Sequence, residues 1–355
     1  MTIPSQQQAL AILKQNGGWG LITTDVDQPG PGEVLIRVEA AALNPADWKI
    51  QAIAEYSKFV QEYPAILGTD SAGVVVALGD GVTNVAVGDR VLHQGFFTNR
   101  KGTFKQYTII DADLVAKIPD NLSFDQAATV PLALVTSAIG LYSETRLGAG
   151  LVAPWKEGGA GKYNGQPIVI FGGSSSLGQY ALQLAKLSAF SPIITTVSPR
   201  NDGLVKSLGA THTIDRSLPA DEVLAAVKRI ATNPVKITFD AIAQASTQSV
   251  AYDILASGGT LVTVSALKIA EDKLTPDKKV VATYGSVHPE GNREFGRELF
   301  RNITHYLESG EIKPNPVEVL SDGLTGIVDG LKRIQDGKIS GVKLVAHPQE
   351  TVVRE

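Results

Sequence analysis

A Gly/Ser turn near the middle of the chain restricts the fold more than any other feature of the sequence. The turn begins at Gly172 and follows a short apolar run, Pro167 to Phe171. After the turn, apolar residues recur at helical spacing, and a second apolar run covers Pro192 to Val197. Two later runs, Ile237 to Ala241 and Thr260 to Val264, continue the pattern. Alternating strands and helices predict an α/β fold with a doubly wound parallel sheet.

The first third of the chain shows a different pattern. Glu33 to Ala40 alternates apolar and polar residues, as a half-buried strand does. Further short β-like runs, Ser71 to Leu78 and Asp89 to His93, are bounded by glycine and aspartate. This spacing predicts a small closed β-structure with tight corners.

The turn itself is a candidate for binding nucleotide phosphates. Small residues at fixed spacing allow backbone N–H groups to approach a pyrophosphate at a helix N-terminus. The usual spacing is G-x-G-x-x-G, and Ser175 stands here in place of the middle glycine. The alternative is a Gly/Ser loop with no ligand. We predict that the whole turn contacts a dinucleotide, through Gly172, Gly173, Ser174, Ser175, Ser176, Leu177 and Gly178.

The residues after the second strand indicate which dinucleotide is bound. The group that contacts the adenosine ribose is expected about 20 residues beyond the last glycine of the turn. The sequence there is Ser198-Pro199-Arg200-Asn201, without a carboxylate for a free 2′-hydroxyl. A hydroxyl, an amide and a guanidinium suit a 2′-phosphate. We therefore predict NADPH as the cofactor, with Ser198, Arg200 and Asn201 as ligands; the alternative is that Arg200 is a solvated surface charge.

Composition excludes several classes of protein. Among 355 residues, 32 Lys and Arg stand against 36 Asp and Glu, and the net charge of −4 without a long basic run argues against nucleic acid as a partner. The absence of cysteine excludes disulfides and cysteine-ligated metal sites. No signal peptide is visible, and no apolar run reaches the roughly 20 residues that a membrane span needs. We expect a soluble, cytoplasmic protein with no membrane partner.

Several segments together resemble a known superfamily in their usual order. They are Asn44-Pro45-Ala46-Asp47-Trp48-Lys49, Gly68-Thr69-Asp70-Ser71-Ala72-Gly73-Val74-Val75, Thr103-Phe104-Lys105-Gln106-Tyr107, Ala127-Ala128-Thr129-Val130-Pro131 and Lys338-Ile339-Ser340-Gly341-Val342-Lys343-Leu344-Val345. On these segments the chain is identified as a member of the medium-chain dehydrogenase/reductase superfamily, similar to its zinc-free quinone oxidoreductases and fungal trans-acting enoyl reductases. The resemblance implies a GroES-like β domain that is catalytic and binds substrate, residues 1–127 and 310–355, and an inserted Rossmann-type domain that binds NADPH, residues 128–309.

The resemblance also implies which residues carry the chemistry. The catalytic positions are Asn44, Asp47, Lys49 and Thr136, and further cofactor contacts are Val264, Ser265 and Lys343. We expect the segment from Asn44 to Lys49 to lie on a loop at a sheet edge, where functional side chains are often presented. As alternatives, Asp47 and Lys49 pair with each other or cap a helix, and Thr136 bonds its own helix backbone.

The chain departs from the zinc-dependent alcohol dehydrogenases of the same superfamily. Those enzymes have cysteine where Asn44 stands and histidine where Thr69 stands. The five histidines of this chain are scattered and show no His-x-x-x-His spacing. We expect no metal, and without a Lewis acid to polarise an alcohol, alcohol oxidation is disfavoured.

Three functions are compatible with these features. The leading hypothesis is an NADPH-dependent reductase that transfers hydride to the C=C bond of an α,β-unsaturated carbonyl, an enone, enal or enoyl thioester, free or bound to a carrier protein. Such a site must position the substrate and stabilise the developing oxyanion. The alternatives are an NADPH:quinone oxidoreductase and a catalytically poor NADPH-binding structural or regulatory protein. The sequence is compatible with a monomer or a homodimer.

Overall fold

The structure is a computed structural model that describes residues 2–352. Its strands are β1 (Gln6–Ile12), β2 (Trp19–Asp25), β3 (Glu33–Ala42), β4 (Ala65–Ile66), β5 (Asp70–Leu78), β6 (Arg90–Gln94), β7 (Tyr107–Asp111), β8 (Val115–Lys117), β9 (Ile168–Phe171), β10 (Ile193–Val197), β11 (His212–Asp215), β12 (Ile237–Asp240), β13 (Thr260–Thr263), β14 (Lys279–Ala282), β15 (Val317–Val319) and β16 (Lys343–Ala346). Its helices are α1 (Pro45–Ala52), α2 (Phe124–Ala128), α3 (Pro131–Tyr142), α4 (Ser176–Leu187), α5 (Asp202–Ser207), α6 (Ala220–Ile230), α7 (Ala245–Ile254), α8 (Glu290–Glu308) and α9 (Gly323–Gln335).

The chain forms two compact units. Within the described residues, the first unit comprises residues 2–132, 287–309 and 314–352, and the second comprises residues 133–286 and 310–313. The first unit is therefore assembled from both ends of the chain, and the second comes mainly from its middle.

The second unit contains a six-stranded parallel sheet, with an α-helix between each pair of successive strands from β9 to β13. The strand order is β11-β10-β9-β12-β13-β14. Numbered within the sheet, this is 3-2-1-4-5-6, the order of the doubly wound dinucleotide-binding folds. Strands buried on both faces read as continuous apolar runs, and all four residues of β9 are buried. The predicted α/β class with a doubly wound parallel sheet is confirmed.

The first unit is mainly β-structure, built from a seven-stranded and a three-stranded sheet. Strand β3 is central to the larger sheet, where it pairs with β5, β7 and β16. The pairing of β16 with β3 joins the end of the chain to its beginning, through Val345 opposite Ala42. One core of this unit contains Leu10, Leu43 and Phe104 from the first third and Leu324 and Leu344 from the last.

The grouping of helix α8 differs from the predicted domain bounds. We expected the inserted domain to cover residues 128–309, whereas residues 287–309, including α8, are grouped with the first unit. Ion pairs and hydrogen bonds between α8 and the first unit account for this grouping. Arg293 and Arg297 both donate to Asp113 at 2.7 Å, and Thr304 donates to the Lys117 carbonyl at 2.8 Å. The functions assigned to the two domains stay predictions.

One stretch of the described residues, Phe124–Tyr142, is long and apolar enough to cross a membrane by length and composition. It consists of α2 and α3, and 78% of its most apolar window is buried inside the protein. Core helices of soluble proteins meet the same criterion, so the stretch is weak evidence for a span.

Candidate active site

The predicted catalytic segment forms a helix, and the expectation that it would lie on a loop is wrong. Strand β3 ends at Ala42, Asn44 is the N-cap of α1, and Pro45 occupies the first helical position. Proline is favoured there because the position needs no backbone donor. Asp47, the third helical residue, accepts a hydrogen bond from the Asn44 backbone N–H at 2.8 Å. The alternative that Asp47 caps a helix is therefore confirmed.

Asp47 is fully buried, and this burial determines its acidity. Loss of hydration raises the pKa of Asp47 to about 7, and the nearby negative charge of Asp70 acts in the same direction. The hydrogen bond from Asn44 and the positive charge of Lys343 oppose this rise in pKa. A hydrogen bond from the backbone N–H of Gly68 also lowers the pKa of Asp47.

A buried polar cluster surrounds the Asn44 side chain. The Asn44 amide donates to Asp70 Oδ2 at 2.8 Å and to Thr69 Oγ1 at 3.3 Å. The Lys343 ammonium donates to Asn44 Oδ1 at 2.5 Å and lies 2.9 Å from Asp70 Oδ2. The backbone N–H of Leu132 donates to Asp70 Oδ1 at 2.5 Å. Side-chain exposure is 4% for Lys343 and zero for Asp70, so the ion pair is removed from solvent.

This cluster changes the interpretation of two residues. Lys343 was predicted to contact the cofactor, yet its ammonium is engaged inside the first unit. Asp70 was not predicted as a site residue, although it belongs to a segment that carried the resemblance. The signal was available in the sequence, because an acid at the start of an apolar strand needs a buried partner.

Lys49 lies on α1 but has different surroundings from Asn44 and Asp47. Its side chain is half-buried, and its Nζ atom lies 6.0 Å from the ring centre of Trp48 and 5.9 Å from that of Tyr56. These distances are at the outer limit of cation–π contact. The charges that act most on the pKa of Asp47 are those of Asp70 and Lys343. The structure thus places Lys49 beside aromatic rings and groups Asn44 and Asp47 with the buried cluster.

The predicted nucleotide turn has the close packing that a phosphate site needs. It connects β9 to α4, and Gly172 has a φ of +76°. A Cβ atom on Gly173 would lie 2.2 Å from Thr195 Oγ1, and one on Gly178 would lie 2.2 Å from the Gly172 carbonyl oxygen. Ser175 caps α4, because its Oγ accepts from the Gly178 N–H at 3.0 Å. The residues present therefore fit a dinucleotide pyrophosphate at the start of α4.

The predicted 2′-phosphate ligands lie at the end of the next strand, β10. Ser198 is half-buried and precedes a short 3-10 turn, Pro199–Asn201, that leads into α5. Arg200 is exposed. The first acid after this turn is Asp202, which holds Lys206 at 2.8 Å and also accepts a hydrogen bond from Thr213. Within residues 2–352, Arg200 forms no ion pair.

The remaining predicted residues of the second unit lie beside the same sheet. Helix α3 approaches the nucleotide turn, since the hydroxyl of Ser137 donates to the Leu177 carbonyl at 3.0 Å. The neighbouring Thr136 is 6% exposed and closely faces Gly285, where a Cβ atom would lie 1.9 Å from its Oγ1. Val264 and Ser265 follow β13 and are half-buried.

Ile242 is a further candidate site residue, which was not predicted from the sequence. It follows β12, and its Cδ1 would lie 2.3 Å from a Cβ atom on Gly172, so it covers the first glycine of the turn. The side chain is nevertheless 38% exposed. The topology could have indicated it, because β9 and β12 are neighbours where the strand order reverses, and dinucleotides bind at that point.

No cluster of metal ligands is present in the part of the chain that the structure describes. Residues 2–352 contain no group of three or more His, Asp or Glu side chains that could hold an ion. At the positions where zinc-dependent relatives carry cysteine and histidine, Asn44 and Thr69 bond to each other.

Comparison with known proteins gives a consistent result over nearly the whole chain. Residues 30–120 match the family model "Alcohol dehydrogenase GroES-like domain", and residues 176–301 match "Zinc-binding dehydrogenase". The chain is 33% identical to trans-enoyl reductase BOA5 of Botryotinia fuckeliana, with 94% of this chain and 98% of the relative covered. It is 30% identical to the enoyl reductase component lovC of the lovastatin nonaketide synthase of Aspergillus terreus, with 96% of both chains covered.

A solved structure supports the fold. An alcohol dehydrogenase superfamily protein from Novosphingobium aromaticivorans superposes with a TM-score of 0.79 at 25% identity, covering 95% of this chain and 99% of that protein.

Proposed function

The chain belongs to the medium-chain dehydrogenase/reductase superfamily, in its enoyl reductase branch, and from this premise we propose that it reduces the C=C bond of an α,β-unsaturated thioester with NADPH and without zinc. The observation that carries this proposal is the similarity to two fungal enoyl reductases over at least 94% of the chain. One of these relatives is named as a component of a polyketide-forming synthase. An acyl group delivered as a thioester, on a carrier protein or a smaller thiol, is therefore the substrate class that we propose.

The second unit would hold the cofactor. The backbone of the Gly172 to Gly178 turn receives the pyrophosphate, and Ser198 and Arg200 receive the 2′-phosphate. Ile242 supplies an apolar surface above the turn. When bound, NADPH supplies the hydride that adds to the β-carbon of the unsaturated carbonyl. Thr136, beside Gly285, is proposed to bind the carboxamide end of the cofactor.

The first unit would supply the donors that stabilise negative charge. Hydride addition at the β-carbon places charge on the carbonyl oxygen of the thioester. We propose that the Lys49 ammonium donates to this oxygen. Asn44 and Asp47 act as positioning residues, since their hydrogen bonds define the first turn of the helix that carries Lys49. The ammonium of Lys343 supplies the resident positive charge next to Asn44, so the cluster needs no metal ion for neutrality.

The test is steady-state oxidation of NADPH against enoyl thioesters, enones and quinones, with and without a chelator. We expect the highest kcat/KM with enoyl thioesters and no loss on chelation. Lys49→Ala should lower kcat by about 100-fold or more, the usual effect of removing one oxyanion donor, and should melt within a few degrees of the parent.

The control for Lys49 is Lys58→Ala, which removes an exposed lysine whose Nζ lies 5.8 Å from the Phe59 ring centre. This control should retain turnover. A preference for quinones over every thioester would favour the alternative activity, and no turnover with any acceptor would favour a binding protein. Full activity of Lys49→Ala combined with a large fall in melting temperature would assign Lys49 a structural role.

A further inference from the structure

A row of four aromatic rings begins beside Lys49 within the first unit. The Nζ atom of Lys49 lies 5.9 Å from the ring centre of Tyr56, which in turn lies 6.3 Å from the ring centre of Phe59. The row continues to Phe97, whose ring centre is 6.1 Å from that of Phe59, and to Phe96, 6.2 Å from Phe97. All four side chains are half-buried, so each keeps part of its surface exposed. These residues form an aromatic row whose first member adjoins the Lys49 ammonium.

The last two rings of the aromatic row lie on a tight turn, residues 96–102. Backbone hydrogen bonds close this turn, and one of them runs from the Phe96 N–H to the Lys101 carbonyl at 3.1 Å. The Asn99 side chain joins the turn to a neighbouring strand, because its Oδ1 atom accepts from the Ile66 N–H at 2.8 Å. The direction of the two rings therefore depends on the groups that hold the turn.

Lys105 holds this turn from its buried side. The side chain is 1% exposed, and its Nζ atom donates to the carbonyl oxygens of Asn99 at 2.6 Å and Arg100 at 3.0 Å. Its ion-pair partner, Asp27, is more distant, at 3.4 Å. A buried ammonium is costly unless hydrogen bonds replace its hydration. Two of the three donors of Lys105 serve the backbone of the turn, so this lysine fixes the turn from within.

We propose that Lys105 is a positioning residue, which holds the turn so that Phe96 and Phe97 complete the aromatic row, and that this row binds the acyl chain of the substrate. The thioester carbonyl oxygen is proposed to meet Lys49, so the attached chain starts next to Tyr56. Each methylene that the rings remove from water strengthens binding by about fourfold. The preference for chain length therefore depends on a lysine that no substrate atom contacts. This inference rests on the proposed function.

The experiment measures steady-state oxidation of NADPH by the full-length protein with two thioesters of pantetheine, crotonyl and 2-octenoyl. The parent should have a kcat/KM for the octenoyl thioester about tenfold or more above that for the crotonyl thioester. Lys105→Met keeps an unbranched side chain and removes the donors. It should lower the ratio of the two kcat/KM values about tenfold, through the KM for the octenoyl thioester. Phe97→Ala should lower the same ratio, because it removes a ring from the row.

Lys117→Met is the matched control for the change of lysine to methionine. It removes an exposed ammonium of the same unit, which pairs with Asp89 at 2.8 Å. The control should keep the ratio of the parent. If Lys105→Met fails to fold, Lys105→Gln takes its place, because its amide can still donate to one carbonyl of the turn, and the ratio should again fall.

Each other outcome contradicts a different part of the inference. If Lys105→Met keeps the chain-length preference while Phe97→Ala loses it, Lys105 does not position the row. An equal loss of kcat/KM for both thioesters would assign Lys105 a general structural role. A parent that does not discriminate by chain length would overturn the aromatic row as the acyl site. Turnover of neither thioester would refute the proposed function itself, and the inference with it.

Discussion

At the scale of single residues, the side chains of Asn44, Asp70 and Lys343 form one buried polar cluster although they come from distant parts of the chain. Asn44 and Lys343 were both selected, one as catalytic and one as a cofactor contact, and the structure joins them by a hydrogen bond of 2.5 Å. Asp70, which bonds to both, was not selected. Partners this far apart along the chain leave no local pattern, so only the folded structure reveals that the three side chains form one cluster.

The pKa of Asp47 is raised from 3.8 to about 7, and this predicts that the stability of the protein depends on pH. The folded protein then holds the proton more tightly than the unfolded chain. The resulting stabilisation is full below the ordinary value of 3.8 and is lost as the pH rises through 7. Asp47→Asn keeps an oxygen that can accept from the Asn44 N–H and removes the buried charge. Between pH 6 and pH 8, the melting temperature of Asp47→Asn should therefore fall less than that of the parent.

The comparison variant is Asp47→Ala, which loses the cap acceptor as well as the charge. It should be less stable than Asp47→Asn by about 1 kcal/mol at both pH values, the usual effect of a lost helix cap. His347 also has a raised pKa, because Asp125 and Glu350 outweigh the effect of its burial. The titration of His347 therefore also contributes to the pH dependence of the parent's melting temperature. The informative quantity is the difference between parent and variant. If that difference is the same at pH 6 and pH 8, Asp47 does not titrate in this range.

At the scale of secondary structure elements, the sequence was most informative where periodicity is strong. The buried strands β9, β10, β12 and β13 were predicted to within one residue at each end, because short apolar runs bounded by turns leave little ambiguity. The segment from Asn44 to Lys49 was predicted as a loop because it follows the end of a strand, yet it forms the start of α1. The eight residues of α1 mix polar and apolar side chains without a clear face. Its start signals, an N-cap asparagine followed by proline and an acid, were present and outweigh the weak periodicity.

The turn between β9 and α4 supports a prediction about a single methyl group. Gly173→Ala would place a Cβ atom 2.2 Å from Thr195 Oγ1 and 3.1 Å from Thr195 Cβ. Thr195 is buried within β10, and its hydroxyl donates to the Ile170 carbonyl at 2.7 Å, so it has little freedom to move. The turn must shift instead, and we expect NADPH affinity to fall at least tenfold, measured by quenching of protein fluorescence.

Two further variants separate this effect from the general effect of adding a methyl group. Gly203→Ala, on α5, would meet no atom within 4 Å and should leave NADPH affinity unchanged. In Gly173→Ala/Thr195→Ala the conflicting Oγ1 atom is gone, and part of the affinity should return. If Gly173→Ala binds NADPH as tightly as the parent does, the turn is not the pyrophosphate site.

At the scale of the whole chain, the first unit depends on contacts between the two chain ends. Asn44 and Lys343 are 299 positions apart, and β16 pairs with β3 near the same place. The parallel sheet, by contrast, is assembled from residues 168–282, and its alternation of strands and helices could be predicted in order. The closure of the first unit was implied only by the resemblance, because no periodicity in the sequence pairs its last strand with an early one.

The buried ion pair between Lys343 and Asp70 allows a test of the role of Lys343. Lys343→Met would leave the Asp70 carboxylate buried without its cation, and breaking such a pair typically costs about 3–5 kcal/mol. Adding Asp70→Asn removes the unpaired charge while keeping an oxygen for the Leu132 N–H, so the double variant should be more stable than Lys343→Met alone.

Lys338→Met is the matched control, because Lys338 pairs with Asp336 at the surface. This control should lower the free energy of unfolding by less than about 1 kcal/mol. Unfolding by urea gives the stabilities, and titration with NADPH gives the affinities. If Lys343→Met instead keeps the stability of the parent and weakens NADPH binding tenfold, Lys343 is the cofactor ligand that the sequence suggested, and the ion pair with Asp70 contributes little to the folded state.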